Sequence, residues 1–172
     1  MNTDSFHDEV DAVVQAWGRE RPDLDASIMH IWSRITRLAQ VLDDLRSDAY
    51  RSHKLQAWEF DVLAALRRSG EPYELTPGQL MKDTHVTSGT MTNRVDRLSE
   101  RGLVTRKPNP LDGRGVIVQL TAQGRERVEA ALIDLIHAER ELTSVLSPGE
   151  IADLSGQLRS LLVHCEQDGY IA

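Results

Sequence analysis

The sequence predicts a mainly α-helical fold with one small β-hairpin, and three observations support this prediction. Apolar residues recur at helical spacing along most of the 172 residues. Two short helical segments stand close together in the middle of the chain. Two β-branched runs, separated by a spacer that contains Pro and Gly, follow them directly.

The first third of the chain is predicted to be helical. A helix over residues 5–19 carries an apolar stripe of Phe6, Val10, Val13, Val14 and Trp17. The segment RPDLD interrupts the pattern, and Asp25 is the expected N-cap of a long second helix with an apolar face from Ile28 to Leu45. A third helix over 56–69 should stop at Gly70.

The middle of the chain predicts two short helices joined by a tight turn. The residues TPGQ at 76–79 have the pattern of a capping box with proline at the first helical position, and this helix should end near Asp83. A turn over 84–86 leads into a second helix over 87–101, which Gly102 stops. This arrangement is typical of a helix-turn-helix.

The second half of the chain completes the predicted fold class. The runs at 103–107 and 115–120 form a hairpin that, directly after a helix-turn-helix, is a wing. A long helix over 122–146 follows, and Ser147 with Glu150 opens a last one. We therefore expect a mainly α winged helix-turn-helix with a small β-hairpin wing and with N- and C-terminal dimerisation helices.

Three regions follow from this reading: N-terminal helices over 1–50, a winged lobe over 51–122 and C-terminal dimerisation helices over 123–172. The terminal helices carry more apolar surface than one small lobe can cover, so we expect a second copy of the chain to bury it. A two-fold dimer also presents two reading heads one DNA turn apart, roughly 34–36 Å.

Charge is distributed unevenly along the chain. The formal net charge is −7, yet residues 76–127 hold nine Lys or Arg against five Asp or Glu and carry +4, whereas the remainder carries −11. A local positive field suits a single DNA-docking face. One cysteine, no long apolar run and no metal-ligand spacing lead us to expect a cytoplasmic protein without membrane span, metal or cofactor.

The second helix of the pair is the expected reading helix for double-stranded DNA. Met91, Val95 and Leu98 form its inward stripe. The residues expected to contact DNA are Thr87, Ser88, Gly89, Thr90, Thr92, Asn93, Arg94, Arg97, Lys107 and Arg114. Asn93 can pair with adenine and Arg97 with guanine or phosphate, while Arg114 at the wing tip should enter the minor groove. Asp112 is expected to brace an arginine. For Lys107 and Arg106, a solvated strand end is an equal alternative.

Arg94 lies at the edge of the inward stripe, where an arginine needs an acidic partner or an anion. The protein candidate is Asp61, an acid flanked by apolar residues in AWEFDVLAAL.

The segment DGRGVIVQLTAQG resembles the wing signature of the MarR-type winged-helix regulators. Asp112, Arg114, Leu120, Thr121 and Gly124 match its D-x-R…L-T-x-x-G pattern, and TNRVDRLSERGLVTR continues the match upstream. The resemblance covers about residues 28–165. It implies a dimeric, ligand-responsive transcriptional regulator, most often a repressor, that binds a pseudo-palindromic operator. Because the sequence has no G-x-S-x-G, H-E-x-x-H or phosphate-loop motif, we do not expect an enzyme.

The N-terminal helix followed by RERPDLD is similar to the subgroup whose relatives respond to urate and small organic acids. This similarity implies that Trp17, Asp61, Arg94 and Arg106 line a site for an anionic ligand. An anion that captured Arg94 should tilt the reading helix and so release DNA.

Several alternatives remain open from the sequence. Trp17 could be plain core packing, and Asp61 a structural ion pair. Cys165 could be a redox sensor, although its place on an apolar stripe is typical of a buried thiol. The chain could also be a winged-helix module for protein contacts, or a MarR-type regulator without a urate-like site that responds to oxidants or phenolic compounds.

Overall fold

The computed structural model describes residues 7–110 and 112–170, without the side chains of residues 112–114. Phe6, placed by the sequence on the first helical stripe, lies outside the described residues. The elements are, in chain order, α1 (Glu9–Glu20), α2 (Met29–Ser52), α3 (Ala57–Arg68), β1 (Glu74–Leu75), α4 (Pro77–Thr84), α5 (Ser88–Glu100), β2 (Val104–Asn109), β3 (Asp112–Leu120), α6 (Ala122–Leu142) and α7 (Pro148–Gln167).

The chain divides into two compact units, residues 1–48 and residues 49–172. The first contains α1 and most of α2. The second contains every later element, including the helix-turn-helix, the wing and the two C-terminal helices.

In the first unit, charged groups join α1 to α2. Asp8 caps α1 in a capping box with Asp11, and Arg34 of α2 donates hydrogen bonds to both carboxylates, at 2.8 Å to Asp8 Oδ2 and 2.8 Å to Asp11 Oδ1. The backbone N–H of Asp8 and then the Arg34 guanidinium lower the pKa of Asp11 to about 2. The carboxylate is therefore ionised at any physiological pH.

Asp25 stands before α2 but does not cap it. Its Oδ1 accepts a hydrogen bond from the backbone N–H of Ser27 at 2.9 Å, which closes a local turn, and α2 begins two residues later at Met29. The expectation of a helix N-cap at Asp25 is wrong because the side chain satisfies the turn instead of the helix.

The core of the second unit is built on α3. Val62, Leu63 and Leu66 are completely buried, and they pack among residues from α4, α5, α6 and the sheet. The three strands form an antiparallel sheet in the order β1–β3–β2. The predicted hairpin is confirmed, and Pro108 is tolerated in β2 because that strand lies at the sheet edge.

The strand β1 was not foreseen from the sequence. Its two residues pair with the far side of β3, Glu74 opposite Gln119 and Leu75 opposite Val118. This pairing ties the connection between α3 and α4 to the wing.

A single threonine joins the reading helix, the wing and α6. The hydroxyl of Thr121 lies 2.8 Å from the carbonyl oxygen of Gly102 and 3.1 Å from that of Leu103, and it accepts the backbone N–H of Gly124 at 3.0 Å. A Cβ on Gly124 would lie 2.1 Å from the Leu103 carbonyl oxygen, so only glycine fits there. These contacts give a physical reason for the Thr and Gly of the wing signature.

The last two helices differ from the prediction in one boundary. Helix α6 ends at Leu142 and not at 146: Thr143 is its C-cap, and the N–H groups of Ser144 and Leu146 bond to carbonyls three residues back, in turns. The predicted Ser147–Glu150 capping box is confirmed. None of the helices in the described part of the chain is long and apolar enough to cross a membrane.

Candidate nucleic-acid interface

The local sequence explains the shape of the helix-turn-helix. Thr76 accepts the Gln79 N–H at 3.3 Å, and the Gln79 carboxamide oxygen accepts the Thr76 N–H at 2.8 Å, so α4 begins in the predicted capping box. His85 takes the left-handed conformation, with φ of 50°, and ends α4. Thr87 then starts α5, which Gly102, with φ of 69°, terminates.

One face of α5 is locked into the core. Met91 and Leu98 are fully buried and Val95 is 2% exposed, which confirms the predicted inward stripe. The other face is polar. The exposed residues on this side are Thr87, Ser88, Gly89, Thr90, Thr92, Asn93 and Arg97. Hydroxyls, an amide and a guanidinium are therefore presented together on one rigid helix.

Arg94 is half-buried and lies beside an aromatic ring. Its guanidinium carbon stands 5.6 Å from the ring centroid of Trp58, and that of Arg97 stands 5.0 Å from the same centroid. Both arginines, with Trp58, Thr90 and Asn93, line a pocket of about 420 Å³ beside the polar face of α5. Two cations thus converge where an anion or a phosphate could bind.

Arg106 connects the wing to the reading helix. From β2 it reaches across to α5, where its guanidinium lies 2.6 Å from the carboxylate of Asp96 and 3.4 Å from the carbonyl oxygen of Thr92. Both side chains of the pair are only partly shielded from solvent, so we expect it to contribute little to the free energy of unfolding. Its role is to hold the wing against α5.

Lys107 carries an internal partner. Its ammonium group contacts the carboxylate of Glu74 on β1, and the lysine side chain remains 42% exposed. A phosphate that approached Lys107 would therefore have to share it with Glu74.

A buried acid holds the C-terminal end of α5. Glu59 is 2% exposed; it accepts the Gln56 N–H at 2.9 Å and contacts the guanidinium of Arg101, which also donates to the Lys54 carbonyl oxygen at 2.6 Å. Trp58 and Glu59, adjacent in the first turn of α3, therefore contact the reading helix at its middle and at its C-terminal end.

The four residues that the resemblance implies for a ligand line four different pockets. Trp17 lines an apolar pocket within the first unit, with Leu24 and Ile28. In the second unit, Asp61 is exposed and lines a pocket with Arg68 and His85, whereas Arg94 faces Trp58. Arg106 borders another pocket with Pro77, Thr92, Val95 and Val116. The ring of Trp58 lies beside Arg94, where the sequence had predicted Asp61.

Two wing-tip residues stay predictions. The side chains of Asp112 and Arg114 lie outside the described residues. The backbone of β3 begins at Asp112, so both positions belong to the extended strand and not to a long loop.

Comparison with known proteins identifies the family. Residues 53–115 match the model of the MarR family. The HTH-type transcriptional regulator PecS of Dickeya dadantii is 35% identical over 159 residues, which are 92% of this chain and 93% of PecS. The chain belongs to the MarR family.

Solved structures of the MarR family agree with this fold. A cysteine-to-serine mutant of MarR from Escherichia coli, complexed with operator DNA, is 30% identical with a TM-score of 0.65, covering 85% of this chain and 97% of MarR. BpsR of Bordetella bronchiseptica, whose DNA binding is regulated by 6-hydroxynicotinic acid, is 27% identical with a TM-score of 0.63, covering 76% of this chain and 91% of BpsR. The chain is thus a winged helix-turn-helix, DNA-binding transcriptional regulator.

The interface of this chain relies on partner residues that the sequence did not indicate. Four of them are Glu59, Glu74, Asp96 and Arg101, and the fifth, Trp58, was assigned only to an apolar stripe. Glu59 had one visible signal: it is an acid between two aromatic residues at the start of a largely apolar helix. The other pairings join residues far apart in sequence, and periodicity within one helix cannot show them.

Proposed function

We propose that this MarR-family chain is a ligand-responsive repressor. It binds a pseudo-palindromic operator as a homodimer and leaves DNA when a small anionic metabolite binds. One observation carries the proposal: α5 is locked into the core by Met91, Val95 and Leu98 and exposes polar groups along its other face. A helix held in this way can enter the major groove without changing its own fold.

The residues that contact DNA in this proposal divide by the kind of contact. The hydroxyls near the start of α5 and its free N–H groups bind phosphates, while Asn93 and Arg97 reach base edges. Arg114 enters the minor groove from the wing tip, with Asp112 as its brace, and Lys107 meets phosphate after exchanging Glu74. The complex of MarR with operator DNA supports operator binding by this fold.

The dimer is inferred from apolar surface that the second unit leaves uncovered. Helix α7 has no buried residue, and Leu154, Leu158 and Leu162 are between 43% and 54% exposed. Leu132, Ile133 and Ile136 of α6 are similarly exposed. A second copy related by a two-fold axis would cover these faces and set two reading helices roughly 34–36 Å apart.

Arg94 is the residue we propose to couple the ligand to DNA. Arg94 is half-buried on the reading helix and shares a pocket with Arg97. An anion that binds both guanidinium groups makes them unavailable for contacts with DNA. Ligand and DNA must then weaken each other by the same factor. Urate or another small organic acid is the proposed ligand, and the regulation of BpsR by 6-hydroxynicotinic acid supports this ligand class. Trp17, Asp61 and Arg106 line other pockets, so the proposed site does not include them.

DNA binding is tested with a labelled duplex from the chain's own upstream region. Fluorescence anisotropy should give an affinity that falls about a thousandfold or more between about 50 and about 200 mM salt, because a dimer neutralises six or more phosphates. A scrambled duplex of equal length is the control. Affinity that is absent, or insensitive to salt, contradicts the proposal and favours a module for protein contacts.

The ligand is tested with urate and, separately, with 6-hydroxynicotinic acid. Each should raise the melting temperature of the free protein and release the duplex. Arg94→Gln should abolish release, whereas Arg140→Gln, an exposed arginine on α6, should leave it unchanged. Release that survives Arg94→Gln contradicts the proposed role of this arginine.

A further inference from the structure

The ring of Trp58 faces the reading helix and contacts two of its arginines. The guanidinium carbons of Arg94 and Arg97 lie 5.6 and 5.0 Å from the ring centroid, within the roughly 6 Å over which a cation is attracted to an aromatic face. The two arginines are three residues apart, so they project from the same side of α5. A single side chain of α3 thus meets both.

The ring itself is held in place. Its Nε1–H donates a hydrogen bond to the side-chain oxygen of Gln56 at 2.5 Å, and Gln56 is the N-cap residue of α3. The indole also packs against the buried core of the second unit. Because one edge is fixed by a hydrogen bond and another by packing, the ring offers the arginines a fixed surface.

We propose that Trp58 is a positioning residue for DNA recognition, which holds Arg94 and Arg97 in the orientation that DNA binding uses. The inference rests on the proposed function, since it takes α5 as the helix that enters the groove. Trp58 acts through the two arginines and need not touch DNA.

The physical reason is the cost of ordering long side chains. A free arginine loses much of its rotamer freedom when it binds a phosphate or a base, and this loss reduces affinity. An arginine already held on a ring has lost that freedom before DNA arrives. The negative face of the indole also offsets the repulsion between two guanidiniums that share one pocket.

The same lobe contains a matched control. Tyr73 is likewise flanked by two arginines, Arg67 at 4.9 Å and Arg125 at 5.8 Å. Those arginines belong to α3 and α6, outside the helix-turn-helix. Loss of the Tyr73 ring therefore removes the same kind of contact without changing an arginine of α5.

The experiment compares Trp58→Leu, Trp58→Phe and Tyr73→Leu by anisotropy on the upstream duplex. With about two- to fivefold for the ordering of each arginine side chain, Trp58→Leu should weaken binding by about 4- to 25-fold. Trp58→Phe keeps a ring that attracts cations less strongly, and it should recover part of the affinity. Tyr73→Leu should change it by less than about twofold. Urea unfolding of each variant confirms that the proteins compared are folded.

A double-mutant cycle separates positioning from general structural support. In an Arg94→Gln, Arg97→Gln background, Trp58→Leu should no longer weaken binding, because the ring then has nothing to hold. An equal loss in both backgrounds overturns the inference. Should Trp58→Leu not fold, Trp58→Phe in the same two backgrounds gives the same comparison with a smaller effect.

The outcomes distinguish this inference from the proposed function. A wild-type chain without salt-sensitive affinity for duplexes refutes both. A wild-type chain that binds normally, together with a Trp58→Leu variant of equal affinity, refutes only the role of Trp58.

Discussion

Helices α5 and α7 are both amphipathic, yet the second unit treats them in opposite ways. It buries the apolar stripe of α5 completely, with Met91 and Leu98 at 0% exposure. It leaves the stripe of α7 open, with Leu158 at 44% and Leu162 at 54%. The core is therefore complete without α7. An amphipathic sequence alone does not say whether its partner lies in the same chain or in another.

The difference assigns separate tasks to the two helices. Helix α5 turns apolar residues inward and offers polar groups to a partner, whereas α7 offers the apolar residues themselves. An isolated helix is only marginally stable in water, so we expect α7 to gain most of its stability from association.

The largest expected effect is the loss of dimerisation when a charge is placed on the exposed apolar stripe of α7. Leu158→Asp should convert the proposed dimer to a folded monomer, because an unpaired carboxylate buried in an interface costs about 3 kcal/mol and two-fold symmetry places it there twice. Sedimentation should show association weakened by more than about a thousandfold. Ser160→Asp, at an exposed position of the same helix, is the control. A Leu158→Asp variant that remains dimeric would remove α7 from the interface.

The next largest effect concerns the buried apolar stripe of α5 and the free energy of unfolding. Leu98→Ala should destabilise the chain by about 2–5 kcal/mol, since the fully buried leucine leaves a cavity. Urea unfolding at one fixed protomer concentration measures it. Asn93→Ala, on the exposed face of the same helix, should stay within about 0.5 kcal/mol. Equal losses at the two positions would contradict the burial of one face only.

A smaller effect on stability distinguishes the C-terminal end of α5 from that of α7. Glu59→Gln should destabilise the lobe by about 1–2 kcal/mol, because it removes the charge that Arg101 contacts at the end of α5. Arg101 is 35% exposed, and solvent keeps the value low. The comparable contact near the end of α7, His164 with Asp168 at 3.1 Å, is exposed on both sides. The free energy of unfolding of His164→Ala should therefore equal that of the wild type. A loss as large as that of Glu59→Gln would contradict the difference between the two helix ends.

The smallest effect separates the N-terminal caps of α4 and α7 by pH. Hydrogen bonds from the hydroxyl and then the backbone N–H of Ser147 lower the pKa of Glu150 below its ordinary value of 4.5. A lowered pKa means that the cap contributes fully above pH 4.5 and is lost as the pH falls through the lower, folded-state value. The α4 cap uses Gln79, which does not titrate.

NMR can follow both caps through the chemical shifts of their backbone amides. The Ser147 amide should shift as acid is added, and the Thr76 amide should not. Glu150→Gln should abolish the shift at Ser147. A parallel shift at Thr76 would indicate general acid unfolding instead.

The sequence was a good guide wherever one local pattern determines the structure. The inward stripe of α5 follows from helical spacing, and the capping boxes at Thr76 and Ser147 follow from hydrogen bonds between residues three positions apart. The hairpin follows from β-branched runs around a turn. Two residues of β1 are too few for any periodicity, so that strand could not be foreseen.

The candidate site was predicted less completely because its contacts join distant parts of the chain. The polar face of α5 was correctly placed, but the partner of Arg94 proved to be the ring of Trp58, 36 residues earlier. Arg106 and Lys107, for which the sequence left phosphate contact and a solvated strand end equally open, have acidic partners on other elements. Such pairings depend on the packed fold, which spacing along one helix does not encode.

Thr121 has one further consequence: it fixes the orientation of the reading helix relative to the wing. The hydroxyl reaches the carbonyl groups at which the reading helix ends and the first wing strand begins, and the same residue starts α6. We therefore expect the reading helix and the wing to move as one rigid body, so that a displacement of either one displaces the other.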